Sequence, residues 1–147
     1  MEYEQLKLEN QLCFPVYAAS RLIIREYQPF LDSLGITYPQ YLVLMVLWET
    51  DGITVNDISR KLILNTNTVT PLLKRMESLG IITRERSFTD ERKVMITLTD
   101  KGKKMRISSA SIPKELINKI NSGTLTVNQL IELRNNLNTV IDLLNSK

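Results

Sequence analysis

The stretch 54–99 constrains the fold of this chain most, because its hydrophobic period changes part-way along. Before Gly80, apolar residues recur every three to four positions in two short groups, as on one face of a helix. These residues are Val55, Ile58 and Leu62, then Val69, Leu72, Leu73 and Met76. After Gly80 the period is two, since Val94, Ile96 and Leu98 alternate with more polar neighbours. We therefore expect two short helices followed by a two-stranded hairpin.

Capping residues support these boundaries. Thr54 and Asp57 have the spacing of a capping box, and Asn65 is a second N-cap. Gly80 stands where a left-handed C-terminal cap is expected. Together the signals predict a mainly α chain with a small β-hairpin wing, the winged helix-turn-helix fold, which grips duplex DNA. The competing interpretation is an ordinary helical domain with a solvated basic hairpin.

The second helix and the hairpin supply the candidate DNA contacts. Short hydroxyls and amides at a helix start suit base edges and phosphates, and long basic side chains suit phosphates. The candidates on and before the second helix are Asn65, Thr66, Asn67, Thr68, Thr70, Lys74 and Arg75. The hairpin adds Arg84, Arg86, Asp90 and Arg92. Arg92 lies at a loop tip, where it is placed to enter a groove, and Asp90 is expected to orient it.

The positive charge is concentrated in this region. The net charge is only +3, but residues 60–106 hold 12 Lys/Arg against 5 Asp/Glu. The rest of the chain holds 7 Lys/Arg against 11 Asp/Glu. A basic region on an otherwise acidic body is typical of a phosphate-facing surface, although a charged stretch alone is more often a solvated face.

Composition excludes several classes of site. With no histidine and one cysteine, the chain has neither a Cys/His zinc site, nor a histidine-based triad, nor an intrachain disulfide. We therefore expect no metal, no cofactor and no enzymatic activity. No apolar run reaches eighteen residues, and the polar N-terminus is unlike a secretory signal. These features predict a cytoplasmic protein without a membrane span.

Amphipathic helices are expected on both sides of the central unit. The first runs from Asn10 to about Ser33, with Leu12, Val16, Ala19, Leu22, Ile23 and Phe30 on its apolar face. The last follows a capping box at Thr126 and carries Leu130, Leu133, Leu137, Val140, Ile141 and Leu144. Such seams pack on partner helices, which predicts a two-fold homodimer on a pseudo-palindromic operator. The 147 residues are then one domain, with 36–99 binding DNA and 8–34 and 100–147 forming the dimer.

Shorter segments complete the order of elements. A capping box from Thr37 to Gln40 opens an almost wholly apolar helix to about Glu49, which should be buried. Ile53 is expected to add a third strand to the wing. Thr99 caps a further helix that runs to Ile120 with an interruption at Pro113, and residues 121–123 break it.

The chain resembles the MarR family of dimeric winged-helix repressors. Two segments carry the likeness, TVTPLLKRMESLGIITR at 68–84 and DERKVMITLTDKGK at 90–103. Segments 8–14 and 34–42 are similar to the branch of that family that senses organic hydroperoxides. The resemblance implies that Thr68, Thr70 and Lys74 sit at the major groove and that Arg92 lies in the minor groove, supported by Asp90. The turn before the recognition helix departs from that branch, since Asn-Thr-Asn-Thr at 65–68 replaces Asp-Ser-Gly-Thr.

The same resemblance implies a sensor. Cys13 matches the peroxide-reactive cysteine, and Tyr27 and Tyr38 match two tyrosines that donate to it across the dimer. A thiolate attacks peroxide to give a sulfenic acid, and a helix N-terminus favours the thiolate. With no second cysteine, the product forms a mixed disulfide with a small cellular thiol, closes a sulfenamide or oxidises further. Each product adds bulk or charge. The plainer interpretations are a small buried cysteine and two packing tyrosines.

Three functions follow from these features. The first is a repressor that releases its operator when organic hydroperoxide oxidises Cys13. The second is a MarR-type regulator released by a small aromatic or anionic ligand between core and wing. The third is a thiol-dependent peroxidase, which is less favoured because neither a resolving cysteine nor an evident catalytic arginine stands beside Cys13.

Overall fold

The computed structural model describes residues 3–120 and 123–146. In these residues it contains seven α-helices and three strands. The helices are α1 (Cys13–Leu34), α2 (Tyr38–Glu49), α3 (Val55–Leu62), α4 (Thr66–Ser78), α5 (Asp100–Ser109), α6 (Ile112–Ile120) and α7 (Val127–Asn145). The strands are β1 (Ile53–Thr54), β2 (Ile82–Arg86) and β3 (Val94–Leu98). Two compact units divide the chain, Met1–Ala110 and Ser111–Lys147.

Helix α2 is the centre of the first unit. Val43, Leu44 and Leu47 are almost fully buried, as its apolar sequence predicts. Met45 is an exception, because 41% of it is exposed. Around α2 lie the fully or nearly fully buried side chains of Leu31, Ile58, Val69, Leu73, Met76, Ile81, Ile82 and Ile96. The apolar faces predicted for α3 and α4 therefore do face the core.

The wing is a three-stranded antiparallel sheet in the order β1-β3-β2. Ile53 of β1 pairs with Ile96 of β3, which confirms the predicted third strand. In the long hairpin Ile82 pairs with Leu98, and Arg86 pairs with Val94. The pleat alternates faces, so the buried Ile82, Ile96 and Leu98 fix this register.

The predicted caps are present. The Thr54 hydroxyl accepts from the Asp57 amide at 3.1 Å, and the Asp57 carboxylate accepts from the Thr54 amide at 3.2 Å. The side chain of Asn65 accepts from the amide of Asn67 at 2.8 Å. Gly80 adopts φ 68°, the left-handed conformation that a C-terminal cap requires. The turn between α3 and α4 and the exit from α4 are thus set by local sequence.

One predicted helix boundary is wrong, and proline explains it. Helix α1 begins at Cys13 rather than Asn10, after short 3₁₀ turns at Glu4–Leu6 and Leu8–Asn10. A helix from Asn10 would need an amide proton that Pro15 lacks, whereas Pro15 is tolerated in the first turn. The predicted interruption of the helix after the wing is confirmed, because the helix breaks at residues 110–111, just before Pro113, which is the second residue of α6. The predicted break at 121–122 lies outside the described residues.

Two helices carry large apolar side chains that their own chain leaves uncovered. On α1 these are Phe14, Val16, Tyr17, Leu22 and Ile23. On α7 they are Val127, Ile131, Leu133, Val140, Ile141, Leu143 and Leu144, and no described residue of α7 is buried. Among the described residues no single helix is long and apolar enough to cross a membrane. Helices α1 and α2 are together long and apolar enough for a span, but the chain bends by 75° between them, and most of α2 is buried in the core.

Candidate DNA interface and redox site

Helix α4 divides into a buried and an exposed face. Val69, Leu73 and Met76 are fully buried and hold it against the core. Most predicted DNA contacts lie on the exposed side, namely Asn65, Thr66, Asn67, Thr68, Lys74 and Arg75, whereas Thr70 is half-buried. The hydroxyls and amides thus gather at the N-terminal end of α4, where free backbone amides also favour an anion.

The wing tip presents Arg92 in a fixed orientation. Its side chain is 91% exposed, yet its Nε donates to Asp90 Oδ1 at 3.1 Å. The Arg92 amide donates to the same oxygen at 3.2 Å. These hydrogen bonds lower the pKa of Asp90, which keeps the carboxylate charged. The predicted orienting role of Asp90 is therefore present in the structure, and the guanidinium keeps further donors for another partner.

Arg84 occupies a different position from the other predicted contacts. Its side chain is only 19% exposed, and its guanidinium lies 3.5 Å from Glu77 Oε2 of α4. Its Nε is buried without a hydrogen-bond partner. Arg84 therefore connects β2 to α4 through an ion pair. Arg86, at the end of β2, is exposed.

A shallow pocket of about 170 Å³ lies between the wing and the starts of α3 and α4. Its lining combines hydroxyls, amides and cations: Thr54, Val55, Asn56, Thr66, Thr70, Arg84, Arg92, Lys93 and Val94. The pocket brings together four of the predicted DNA contacts. Sequence reasoning missed Asn56 and Lys93, although Asn56 follows a recognised cap and Lys93 follows the tip arginine.

Cys13 is the first residue of α1, and its side chain is exposed. No side chain caps this end of the helix, so the free backbone amides of its first turn have no capping partner. Exposed Phe14 and Val16 give the surroundings an apolar character. The described residues contain no cluster of His, Cys, Asp and Glu that could hold a metal.

Tyr27 and Tyr38 lie together, but they are remote from Cys13 of the same chain. Their ring centroids are 5.0 Å apart. Tyr27 follows Cys13 by fourteen residues on one helix, which separates them by about 21 Å at 1.5 Å per residue. The predicted sensor triad is therefore split within one chain, into a cysteine at one end of α1 and a tyrosine pair further along.

A third tyrosine joins this pair. The Tyr41 ring centroid lies 5.9 Å from that of Tyr27 and 6.4 Å from that of Tyr38. Tyr41 also packs edge-on against Trp48, whose Nε1 donates to the Gly102 carbonyl at 3.0 Å. Sequence reasoning assigned Tyr41 only to an apolar helix, because a core aromatic and a site aromatic look alike in one sequence.

Burial raises the pKa of all three tyrosines. For Tyr27 the pKa rises to about 12, first through burial and then through the nearby Tyr38 and Tyr41. Burial likewise raises the pKa of Tyr38 and of Tyr41. The hydroxyls therefore remain protonated at physiological pH, which is the form that donates a hydrogen bond to an anion.

Comparison with known proteins agrees with this geometry. The family model for the transcriptional regulators SarA/Rot matches residues 25–107. The organic hydroperoxide resistance transcriptional regulator of Bacillus subtilis is 42% identical over 146 residues, 99% of this chain and 97% of that protein. The chain belongs to the SarA/Rot family of transcriptional regulators, and its fold is that of the MarR-type winged-helix regulators.

Solved relatives of this MarR-type regulator include complexes with DNA. Reduced AbfR bound to DNA has 39% sequence identity and a TM-score of 0.78, with 99% of this chain and 100% of that chain covered. Over-oxidised AbfR bound to DNA has 40% identity and a TM-score of 0.75, with 98% and 99% covered. AbfR comes from Staphylococcus epidermidis. The protein is thus a DNA-binding transcriptional regulator and not an enzyme, as the sequence predicts.

The raised pKa of Tyr27 predicts a loss of stability in alkali. The folded state holds this proton more tightly than the unfolded chain, whose tyrosines titrate near 10.0. The contribution is therefore complete below about pH 10 and is lost as the pH rises to about 12. Urea unfolding across this window should show a falling free energy of unfolding, and Tyr27→Phe should flatten the fall. An equally steep fall in the variant would contradict the assignment.

Proposed function

We propose that this protein is a homodimeric repressor that releases its operator when an organic hydroperoxide oxidises Cys13. The separation of Cys13 from Tyr27 along α1, with Tyr38 of α2 packed beside Tyr27, carries the proposal. A cysteine at one end of a helix and tyrosines further along meet if two copies pack α1 against α1 in opposite directions. The sensor would then exist only in the dimer, which couples sulfur chemistry directly to subunit geometry.

Exposed apolar surface supports the dimer. Helix α1 leaves Val16, Leu22 and Ile23 partly uncovered, and α7 leaves Leu133, Val140 and further apolar residues uncovered. Exposed apolar faces of this kind favour an interface on each helix, because burial contributes about 25 cal/mol per Å². In this proposal residues 8–34 and 100–147 form the dimer, and residues 36–99 bind DNA.

The described geometry supports a specific docking mode. The N-terminal end of α4, with Thr68 and Thr70, would enter the major groove, and Lys74 would reach the backbone. Arg92, held by Asp90, would enter the minor groove. Two such units related by a two-fold axis fit half-sites about one helical turn apart. The Asn65 cap replaces the acid of the resembling branch, so contacts at this turn are expected to differ.

The proposed chemistry is a two-electron oxidation of sulfur. The Cys13 thiolate attacks the terminal oxygen of the hydroperoxide, the O–O bond breaks, and the alkoxide leaves and takes a proton as the alcohol. The sulfenic acid then condenses with a small cellular thiol and releases water, which leaves a mixed disulfide. The three tyrosine hydroxyls are protonated donors that would stabilise the thiolate before this reaction. The name of the Bacillus subtilis relative supports an organic hydroperoxide as the oxidant.

The decisive experiment is a mobility shift with duplex DNA from upstream of the protein's own gene. Cumene hydroperoxide with a small thiol should weaken binding of the wild type at least tenfold, a loss of about 1.4 kcal/mol. Cys13→Ser should bind like the reduced wild type and should not respond. If the serine variant responds normally, the sensor assignment fails while DNA binding stands. If no salt-sensitive duplex binding is seen, the repressor itself fails.

A second candidate function rests on the pocket beside the wing. Arg84, Arg92 and Lys93 line it, which suits a small anion, and a ligand there would compete with DNA. A phenolic carboxylate should then raise the melting temperature equally in wild type and Cys13→Ser, and Arg84→Gln should abolish the rise. The absence of a shift would leave cysteine oxidation as the signal.

A further inference from the structure

We propose that Phe88 is a DNA contact, an apolar wedge at the wing tip that packs against the sugars lining the minor groove. The inference rests on the proposed DNA docking and adds a residue that the charge pattern does not reveal. Phe88 is 101% exposed, the highest value of any large apolar side chain in the described part of the protein. A phenyl ring left wholly in water contributes no buried surface to the free protein, so the whole ring is available to a partner.

The exposure of Phe88 comes from an ordered turn. The Ser87 and Thr89 hydroxyls are 3.0 Å apart, and the Thr89 amide donates to the Ser87 hydroxyl at 3.3 Å. The Ser87 amide donates to the Lys93 carbonyl at 2.9 Å, and the Lys93 amide donates to the Asp90 carbonyl at 2.9 Å. Hydrogen bonds on both sides therefore hold the ring outward, beside the segment that fixes Arg92.

Charge complementarity selects nucleic acid as the partner. Phe88 shares its loop with Arg92 and Lys93, and Arg86 stands at the start of the turn. An apolar protein pocket that received this ring would also bury or confront these cations. A DNA groove instead offers phosphates to the cations and the C–H faces of deoxyribose to the ring. Apolar side chains placed between or against base steps in the minor groove are an established mode of contact.

The salt dependence of DNA affinity distinguishes the proposed Phe88 contact from a contact made by Arg92. An apolar contact releases no counterions, so its loss lowers affinity by the same factor at every salt concentration. Loss of a phosphate-directed cation instead lowers affinity and reduces the salt slope by about one per contact. Phe88→Ser should therefore weaken operator binding about tenfold with an unchanged slope. Arg92→Ala should flatten the slope.

The experiment titrates the full-length protein onto the duplex used above, from about 50 to about 300 mM salt. Phe88→Leu should keep most of the affinity, because it keeps apolar surface. Leu6→Ser is the matched control, since Leu6 is 73% exposed in the 3₁₀ turn Glu4–Leu6, outside the proposed dimer and DNA-binding ranges, and should leave binding unchanged. Thermal unfolding and sedimentation should show an unaltered fold and dimer for Phe88→Ser, because the ring contacts nothing in the free protein.

Each other outcome is informative. Wild-type affinity for Phe88→Ser at every salt concentration would overturn the wedge. An equal loss in Leu6→Ser would also overturn it, as would dissociation of the Phe88→Ser dimer, which would make Phe88 a protein contact instead. If the wild type itself shows no salt-sensitive binding to duplex DNA, the proposed function fails first, whatever Phe88 does.

Discussion

Gly102→Ala is expected to lower the free energy of unfolding by about 2 kcal/mol. A Cβ at this position would stand 2.3 Å from the Ile81 carbonyl oxygen and 3.0 Å from Leu98 Cδ2. Overpacking of this severity costs about 3 kcal/mol, and the better helix propensity of alanine returns nearly 1 kcal/mol. The contact is with backbone, so no side-chain rotation relieves it.

The surroundings of Gly102 are fixed on both sides. The Ile81 carbonyl accepts from the Thr99 amide and the Thr99 hydroxyl, each at 3.0 Å. The Gly102 carbonyl in turn accepts from Trp48 Nε1 of α2. Because Ile81 directly precedes β2, any relief by movement of α5 or of this strand would shift the base of the wing. Operator affinity should therefore fall together with stability.

The measurement is thermal unfolding of the protein at fixed concentration. A loss of about 2 kcal/mol should lower the melting temperature by roughly 4–8 °C for a chain of this size. Lys103→Ala is the control, since Lys103 is an exposed neighbour on the same helix and should change little. Equal melting temperatures for Gly102→Ala and Lys103→Ala would show that α5 moves away freely, and the proposed coupling to the wing would fall.

The features that the sequence predicts correctly are those that depend on interactions between residues close together in the chain. The caps at Thr54 and Asn65, the left-handed Gly80 and the alternation along β3 each depend on residues within a few positions. Other features depend on packing between distant segments, which no local sequence pattern encodes. These are the contacts among the three tyrosines, the Arg84–Glu77 ion pair and the close approach of α5 to Ile81 at Gly102. The predicted start of α1 at Asn10 is wrong for another reason, because Pro15 has no amide proton and would leave the Gln11 carbonyl without its helical donor.

The second large effect concerns the product formed at Cys13. A mixed disulfide with a small thiol should weaken operator binding about a hundredfold, whereas over-oxidation to the sulfinic acid should change it less than about threefold. A sulfinate is an anion with two acceptor oxygens, so protonated Tyr27 and Tyr38 still find a charged partner. A mixed disulfide is neutral at sulfur, loses these charge-assisted bonds and adds a side chain against the exposed apolar surface of α1.

A relative supports this difference, because over-oxidised AbfR has been solved bound to DNA. Wild-type protein should be treated with cumene hydroperoxide alone, in excess, or with the peroxide and free cysteine, with each product verified by mass. Dithiothreitol should restore binding only after the second treatment, since a sulfinic acid is not reduced by thiols.

Variants of Tyr27 and Tyr38 test whether their hydroxyls are what keeps the sulfinic form bound to DNA. Tyr27→Phe and Tyr38→Phe each remove one hydroxyl donor while keeping the ring pair, whose centroids lie 5.0 Å apart. In these variants the sulfinic form should bind DNA more weakly than in the wild type, because the anion would lie at the interface with one donor fewer. Full release by the sulfinic acid in the wild type would show that added charge, rather than lost hydrogen bonds and added bulk, separates the protein from its operator.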